Sequence, residues 1–179
     1  YEEKSHSGRL KYLQLFVNPK NLELQLAFVF CGAFLEEKEI AFVKRLYKSG
    51  MFHSIWANFS MKRTNSIFGD RWELLEGKEE FFQEICGVNF CFHPSSFAQA
   101  HLSLFEEIIQ YIEGFTQENS SILDLYAGVG CIGGVLAKKA SKVFLVEPSP
   151  LAESCFQKSI LSEELRSEER RVGKECRSR

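Results

Sequence analysis

The feature that most constrains this fold is a glycine-rich turn between two apolar runs, within residues 121–147 (SILDLYAGVGCIGGVLAKKASKVFLVE). The first run ends in a turn that contains Gly128 and Gly130, the pattern over residues 132–140 predicts a helix, and the second run ends on Glu147. This order of strand, glycine turn, helix and strand is typical of a doubly wound α/β domain, in which ligands bind at the carboxyl ends of parallel strands.

The turn predicts a nucleotide-containing cofactor. Gly128 and Gly130 lack a Cβ atom, so a ligand can approach the backbone closely, and the helix that follows offers free N–H groups. Glu147, at the tip of the second strand, can accept hydrogen bonds from the two hydroxyls of a ribose. A purely structural interpretation, in which the glycines only allow close helix–strand packing, explains less because Asp124 and Glu147 both fall at strand tips.

Two cofactor classes share this plan. A dinucleotide site has the pattern G-x-G-x-x-G followed by an acidic residue, and Gly128, Gly130 and Gly133 satisfy it. A methyl-donor site has an acidic residue at the end of the first strand, where Asp124 lies. A carboxylate there is unfavourable beside a pyrophosphate but suits the ammonium group of a methionine moiety. The sequence therefore favours S-adenosylmethionine over NAD.

Size, charge and cysteine pattern limit the class of protein. The 179 residues are 45% hydrophobic and 26% charged, which is enough for one or two globular domains. Before residue 166 the chain has 16 basic and 21 acidic residues, a poor overall footprint for a nucleic-acid binder. Without an apolar run of membrane-spanning length or a signal peptide, we expect a cytoplasmic protein and no membrane partner. The six cysteines form no C-x-x-C pair, so we expect reduced thiols and no metal site.

Residues 1–97 predict a small α+β domain. A hairpin is expected over residues 8–17 and 22–30, with a turn at Asn18-Pro19-Lys20-Asn21. Further along, the pattern predicts a helix over 36–49 and strands over 52–59, 72–75, 84–86 and 88–92. After a break at His93-Pro94, a helix over 98–113 is expected with Ser95 or Ser96 as its cap. A last helix is expected over 151–161.

Four stretches resemble the RNA (uracil-5-)-methyltransferase family, which methylates C5 of uridine in ribosomal or transfer RNA. They are HSGRLKYL (6–13), KRTNSIFGDRWELLEG (62–77), HPSSFAQAH (93–101) and DLYAGVGCIGG (124–134). The resemblance implies a central α+β domain followed by a class I, Rossmann-like methyltransferase domain, here over residues 98–165. It also implies S-adenosyl-L-methionine as cofactor and RNA, either rRNA or tRNA, as partner.

The resemblance also implies cofactor-binding roles. Gln99 is the glutamine of an S-F-x-Q motif, Tyr126 is the aromatic residue after Asp-Leu, and Glu147 is the ribose-binding acid. The chain departs from the family pattern at Ala98, at His101 and at Cys131, which follows the G-x-G. With the turn, the predicted cofactor site comprises Gln99, Asp124, Tyr126, Gly128, Gly130 and Glu147.

The family mechanism uses a cysteine that attacks C6 of uracil and a carboxylate base that removes the C5 proton. Both residues lie after an Asp-Pro-Pro-type motif, which this sequence lacks, so no cysteine is assigned as nucleophile. Residues 166–179 (RSEERRVGKECRSR) resemble a translated sequencing adapter, and the chain also opens on Tyr1. We therefore expect an inactive fragment that lacks an N-terminal part and whose native sequence ends near Leu165.

Two other functions remain open at the level of sequence. One is an NAD-dependent oxidoreductase built on the same glycine pattern. The other is a non-catalytic RNA-binding module, in which Lys62 and Arg63 contact phosphate and aromatic residues stack on bases. The candidate aromatic residues are Phe59, Phe68 and Trp72, and with 17 phenylalanines in the chain a core position is the favoured interpretation of each.

Overall fold

The computed structural model describes residues 1–2, 7–61 and 66–162. The chain divides into two compact units, Tyr1–Phe81 and Phe82–Arg179. The predicted boundary between residues 97 and 98 lies further along the chain. The division comes earlier because strand β6 (Val88–Phe92) packs against helix α4 (Pro150–Ser162) of the second unit.

The first unit is a four-stranded sheet with the order β1-β2-β3-β4. An antiparallel hairpin of β1 (Leu10–Val17) and β2 (Leu24–Phe30) confirms the predicted hairpin. Strand β3 (Ser54–Phe59) runs parallel to β2, and β4 (Arg71–Gly77) is antiparallel to β3. The parallel β2–β3 pair requires a crossover, which helix α1 (Glu37–Tyr47) supplies.

Helix α1 covers one face of this sheet because its apolar residues recur at helical spacing. Its N-terminus is closed by a capping box, in which the Glu39 carboxylate accepts a hydrogen bond from the Glu36 backbone N–H at 2.7 Å. Arg9 donates to the same carboxylate at 2.8 Å and so ties the start of β1 to α1. The core between the helix and the sheet consists of Leu26, Phe28, Phe30, Val43, Ile55, Ala57 and Phe59.

The second unit begins within β5 (Phe81–Ile85), which pairs with β6. Helix α2 (Leu102–Phe115) follows, and then β7 (Ser121–Leu125), α3 (Cys131–Leu136), β8 (Lys142–Val146) and α4. Strands β7 and β8 are parallel, as the strand–helix–strand pattern predicts.

Helix α2 begins later than predicted, and the two serines do not cap it. The hydroxyl of Ser96 accepts a hydrogen bond from the His93 backbone N–H at 3.1 Å, which closes a tight turn before the helix. His101 is the N-cap, and its Nδ1 atom accepts from the Leu104 N–H at 3.2 Å. The prediction that Ser95 or Ser96 caps the helix is wrong. The Ser96 hydroxyl oxygen accepts from the His93 N–H in the preceding turn, and the helix begins later, after His101.

Among the described residues, no helix is long and apolar enough to cross a membrane.

Candidate cofactor-binding site

The carboxyl ends of β7 and β8 lie side by side. In the parallel register, Asp124 is opposite Leu145 and Leu125 is opposite Val146. The turn after β7 and Glu147 after β8 therefore leave the sheet at one edge, and the Ala127 N–H donates to the Val146 carbonyl at 3.2 Å. The fold places the predicted turn and the predicted acid together.

Gly130 is the hinge of the turn and the N-cap of α3, with a left-handed φ of 81°. Its N–H donates to the Ala127 carbonyl at 2.8 Å. A Cβ atom there would lie 2.6 Å from the ring of Phe156 and 3.0 Å from Leu145. Glycine is required both by backbone conformation and by the close approach of α4 and β8.

Gly128 is a glycine of a different kind. Its φ is 57°, but a Cβ atom on it would meet nothing within 4 Å. The space in front of Gly128 is therefore open, and a ligand can approach its backbone closely.

Asp124, the next-to-last residue of β7, contacts the start of α3. Its Oδ2 atom accepts a hydrogen bond from the Gly133 N–H at 3.0 Å, so a carboxylate occupies one of the free N–H groups at the helix start. Burial raises the pKa of Asp124 above its ordinary value of 3.8, and the Gly133 hydrogen bond offsets part of this rise. A positively charged ligand group beside Asp124 would stabilise its ionised form.

Glu147 is held by two backbone groups. Its Oε2 atom accepts from the Gly128 N–H at 3.0 Å and its Oε1 atom accepts from the Ser149 N–H at 2.9 Å. Each carboxylate oxygen has two lone pairs, so both oxygens keep acceptor capacity for hydroxyl groups. The carboxylate is thus fixed in orientation next to the open face of Gly128.

The remaining two predicted residues are exposed. Tyr126 adopts a left-handed φ of 58°, which is uncommon for a non-glycine residue, and its side chain is 88% exposed. Gln99 is exposed in the irregular segment before α2. The hydrogen bonds described above join Asp124 and Glu147 to the turn, while Gln99 and Tyr126 stand outside that network.

Sequence reasoning missed the residues that support the turn. Phe156 of α4 lies behind Gly130, and the Ser149 N–H orients Glu147. The Pro148-Ser149-Pro150 sequence could have indicated the contact between Ser149 and Glu147, since it predicts a turn directly after Glu147. The sequence around Phe156 does not indicate its role, because its contact joins α4 to Gly130, which lies 26 residues earlier in the chain.

The aromatic residues of the alternative RNA-binding module have structural contacts. Phe59 is 6% exposed and belongs to the core of the first unit. Phe68 and Trp72 are half-buried and pack on each other, with ring centroids 5.0 Å apart. Lys62, Arg63 and the adapter-like residues 166–179 lie outside the described residues.

The five cysteines among the described residues lie outside disulfides, in different environments. Cys91, Cys131 and Cys155 are buried, and Cys31 and Cys86 are half-buried. Burial, together with the nearby charge of Asp124, raises the pKa of Cys131 to about 12. Within the described ranges, no cluster of three or more His, Cys, Asp or Glu side chains is placed to hold a metal ion.

Two curated proteins are similar to this chain over most of its length. The chain is 34% identical over 174 residues to an uncharacterized RNA methyltransferase of Protochlamydia amoebophila, covering 92% of this chain and 45% of the relative. An uncharacterized RNA methyltransferase of Bacillus cereus is 31% identical over 156 residues, which is 85% of this chain and 34% of that protein. The chain is therefore similar, over most of its own length, to part of two proteins named as RNA methyltransferases. It spans less than half the length of these curated relatives.

The solved structures agree on the fold. The chain matches the Pyrococcus abyssi tRNA (uracil-54, C5)-methyltransferase in complex with S-adenosyl-L-homocysteine with a TM-score of 0.71 and 23% identity, covering 90% of this chain and 38% of that one. This confirms the predicted Rossmann-like methyltransferase fold with a preceding α+β region. No protein-family model matches the chain.

Proposed function

We propose that this chain supplies the cofactor-binding turn of an S-adenosylmethionine-dependent enzyme that methylates C5 of uridine in RNA. The activity is proposed for the whole protein of this type, since the chain spans less than half of its relatives' length. Support comes from the RNA methyltransferase relatives and from the fold shared with a tRNA (uracil-54, C5)-methyltransferase. The four family-like motifs add to it.

The observation that carries the cofactor assignment is the hydrogen bond from the Gly133 N–H to Asp124. A dinucleotide places its pyrophosphate at the N-terminus of the helix after the glycine turn. Here a carboxylate already occupies that N-terminus, which would repel the phosphates. The same carboxylate attracts the ammonium group of a methionine moiety, so the geometry favours the methyl donor over NAD.

The residues at the strand edge have distinct proposed roles. Glu147 accepts hydrogen bonds from the ribose hydroxyls, and the open face of Gly128 admits the cofactor to the backbone. Asp124 orients the methionine moiety, while Gln99 and Tyr126, both exposed, close over the bound cofactor from outside the turn. The cofactor, when bound, supplies the methyl group; this part of the chain binds and orients it.

The three buried cysteines do not suit the role of nucleophile. Cys131 lies nearest the turn, but burial raises its pKa to about 12, so it is a thiol at neutral pH. Cys91 and Cys155 are 2% and 4% exposed and are closed off from a base in RNA. We therefore propose that residues 1–179 bind cofactor without transferring its methyl group.

Calorimetry separates the cofactor classes. We expect S-adenosylmethionine to bind the chain and NADH to give no heat. Replacing Glu147 with Gln removes a charged acceptor, a loss of about 1.5–3 kcal/mol, so affinity should fall about tenfold to a hundredfold. Glu107→Gln, at an exposed position on α2, makes the same change of charge and should leave affinity unchanged. Tighter binding of NADH, or equal affinities of the two variants, would refute the cofactor assignment.

Nucleoside analysis tests the substrate. A full-length relative, incubated with rRNA or tRNA and radiolabelled S-adenosylmethionine, should produce 5-methyluridine. A label in another nucleoside would overturn the uridine-C5 part of the proposal and leave cofactor binding intact.

A further inference from the structure

Two buried cysteines meet between β6 and α4 of the second unit. Cys91 is 2% exposed and Cys155 is 4% exposed, and neither is in a disulfide. Strand β6 and helix α4, which carry them, pack against each other. Ser159 fixes both backbones, because its Oγ atom accepts from the Cys91 N–H at 2.8 Å and donates to the Cys155 carbonyl at 2.9 Å. Ser159 therefore holds the backbones of the two cysteines close to each other across a packed strand–helix interface.

The surroundings of Cys155 favour its thiolate. Its pKa is lowered to about 7, chiefly by the hydrogen bond with Cys91, against the opposing effect of burial. Ser96, with its Oγ atom 3.9 Å from the sulfur, and the His93 N–H add donors, and Lys158 adds positive charge. A buried cysteine is ordinarily an inert thiol, as Cys131 is in the same unit. Cys155 thus has a lowered pKa and a second cysteine beside it, two of the features of a redox-active pair, although the pair is buried.

We propose that Cys91 and Cys155 form a reversible disulfide that links β6 to α4. A small hydroperoxide is the oxidant that fits the burial of the pair. The Cys155 thiolate attacks the peroxide, the O–O bond breaks, the leaving oxygen takes a proton as water or alcohol, and the sulfur becomes a sulfenic acid. Cys91 then attacks that sulfur, the S–O bond breaks, and water leaves with the thiol proton. Two thiols and one hydroperoxide thus give a disulfide, water and one alcohol or second water, and an external dithiol reverses the change.

The link would act on the candidate cofactor site. Phe156 follows Cys155 directly and lies 2.6 Å from the position of a Cβ atom on Gly130, so it forms the support behind the turn. Ser96, which contacts the Cys155 sulfur, lies in the same irregular segment as Gln99. A disulfide between Cys91 and Cys155 would therefore restrain both Phe156 and the segment that contains Ser96 and Gln99. Amide hydrogen exchange in residues 93–101 and 147–156 should therefore be slower in the oxidised protein.

Mass spectrometry tests the disulfide directly. The reduced full chain is treated with one equivalent of hydrogen peroxide, alkylated and digested. We expect a mass loss of two hydrogens, a cross-linked peptide pair containing Cys91 and Cys155, and reversal by dithiothreitol. Alkylation of both residues after oxidation, a sulfinic acid at Cys155, or a link between other cysteines would overturn the proposal.

Matched variants complete the test. Cys86→Ser, which alters a half-buried cysteine of the same unit, should keep the cross-link, and Cys155→Ser should abolish it. The mapping is done first on the unsubstituted chain, so a misfolded variant cannot imitate the expected result. Equal hydrogen exchange in the two redox states would contradict the proposed action on the turn. These readouts need no cofactor, so they are independent of the function proposed above.

Discussion

The two parallel strand pairs of this molecule differ sharply in burial. Strand β3 is buried at all six positions and β2 at six of seven, whereas β7 has no buried residue and alternates between exposed and half-buried positions. Strands β2 and β3 lie in the middle of a four-stranded sheet, while β7 and β8 are paired with each other. The first pair thus lies in a buried sheet, whereas β7 and β8 are largely exposed in this chain, which spans less than half of its relatives' length.

Two carboxylates show the same contrast. In the first unit, the hydrogen bond from Arg9 lowers the pKa of Glu39, whose carboxylate also closes the capping box of α1. In the second unit, burial raises the pKa of Asp124, whose oxygen accepts from the Gly133 N–H. Glu39 has its cation within the fold. For Asp124, no cation among the described residues offsets the effect of burial, and a perturbed carboxylate of this kind is a candidate for ligand binding.

The largest expected effect tests the difference in burial. Leu26 is 7% exposed in β2 and Leu123 is 61% exposed in β7. Leu26→Ala should lower the free energy of unfolding by about 2–5 kcal/mol, because it leaves a cavity in the core. Leu123→Ala should lower it by less than about 0.5 kcal/mol. Urea unfolding of the two variants measures both, and equal losses would show that the strand pairs do not differ in this way.

A smaller effect distinguishes the two glycines of the turn. Gly130→Ala adds positive-φ strain and a clash with Phe156, so it should cost about 2–4 kcal/mol. Gly128→Ala adds only the strain, about 1–2 kcal/mol. In calorimetry, however, Gly128→Ala should weaken S-adenosylmethionine binding, since its new methyl group enters the open space. If a folded Gly128→Ala variant binds S-adenosylmethionine as tightly as the wild type, the cofactor does not bind against this turn.

Local patterns predicted the elements and much of the turn. The alternation on both sides of Asn18-Pro19 led to the correct hairpin, because a period of two fixes a strand face. The glycines, Asp124 and Glu147 were found because strand tips and G-x-G spacing are visible in sequence. In the structure, Asp124 and Glu147 both hydrogen-bond to the turn or the helix after it.

Contacts between segments that are distant in the chain could not be predicted from the sequence. Phe156 behind Gly130, and Ser159 bonded to the Cys91 N–H across 68 residues, depend on how α4 returns to the fold. The cap of α2 failed for a local reason. Serine is a better cap than histidine by preference, but Ser96 is engaged by His93 and His101 takes the position.

That cap gives the next prediction. His101→Ala removes the acceptor for the Leu104 N–H and should cost about 0.5–1 kcal/mol, at the low end for an N-cap because the site is exposed. His101→Asn keeps a capping acceptor and should restore stability. Thermal unfolding followed by circular dichroism compares the three proteins. Equal melting temperatures for the wild type and His101→Ala would show that the helix start does not depend on this side chain.

The smallest change in stability at neutral pH is expected for Asp124→Asn, since an amide oxygen can still accept from the Gly133 N–H. The raised pKa of Asp124 means that the folded state binds more protons than the unfolded state between the ordinary value of 3.8 and the folded value. The free energy of unfolding of the wild type should therefore fall as pH rises through that window, and then level off. The Asn variant lacks this contribution.

Outside the pH range between 3.8 and the raised pKa of Asp124, the free energy of unfolding should change with pH equally in the wild type and in Asp124→Asn. Within that range, the variant should become more stable relative to the wild type as pH rises. Urea midpoints measured between acid and neutral pH show the difference. Calorimetry should show the opposite trend for the ligand, a loss of S-adenosylmethionine affinity of about tenfold, equivalent to about 1.4 kcal/mol. A variant that is more stable but binds less tightly would identify Asp124 as a group kept for ligand binding at a cost in stability. A variant that binds as well as the wild type would assign Asp124 to the support of α3 alone.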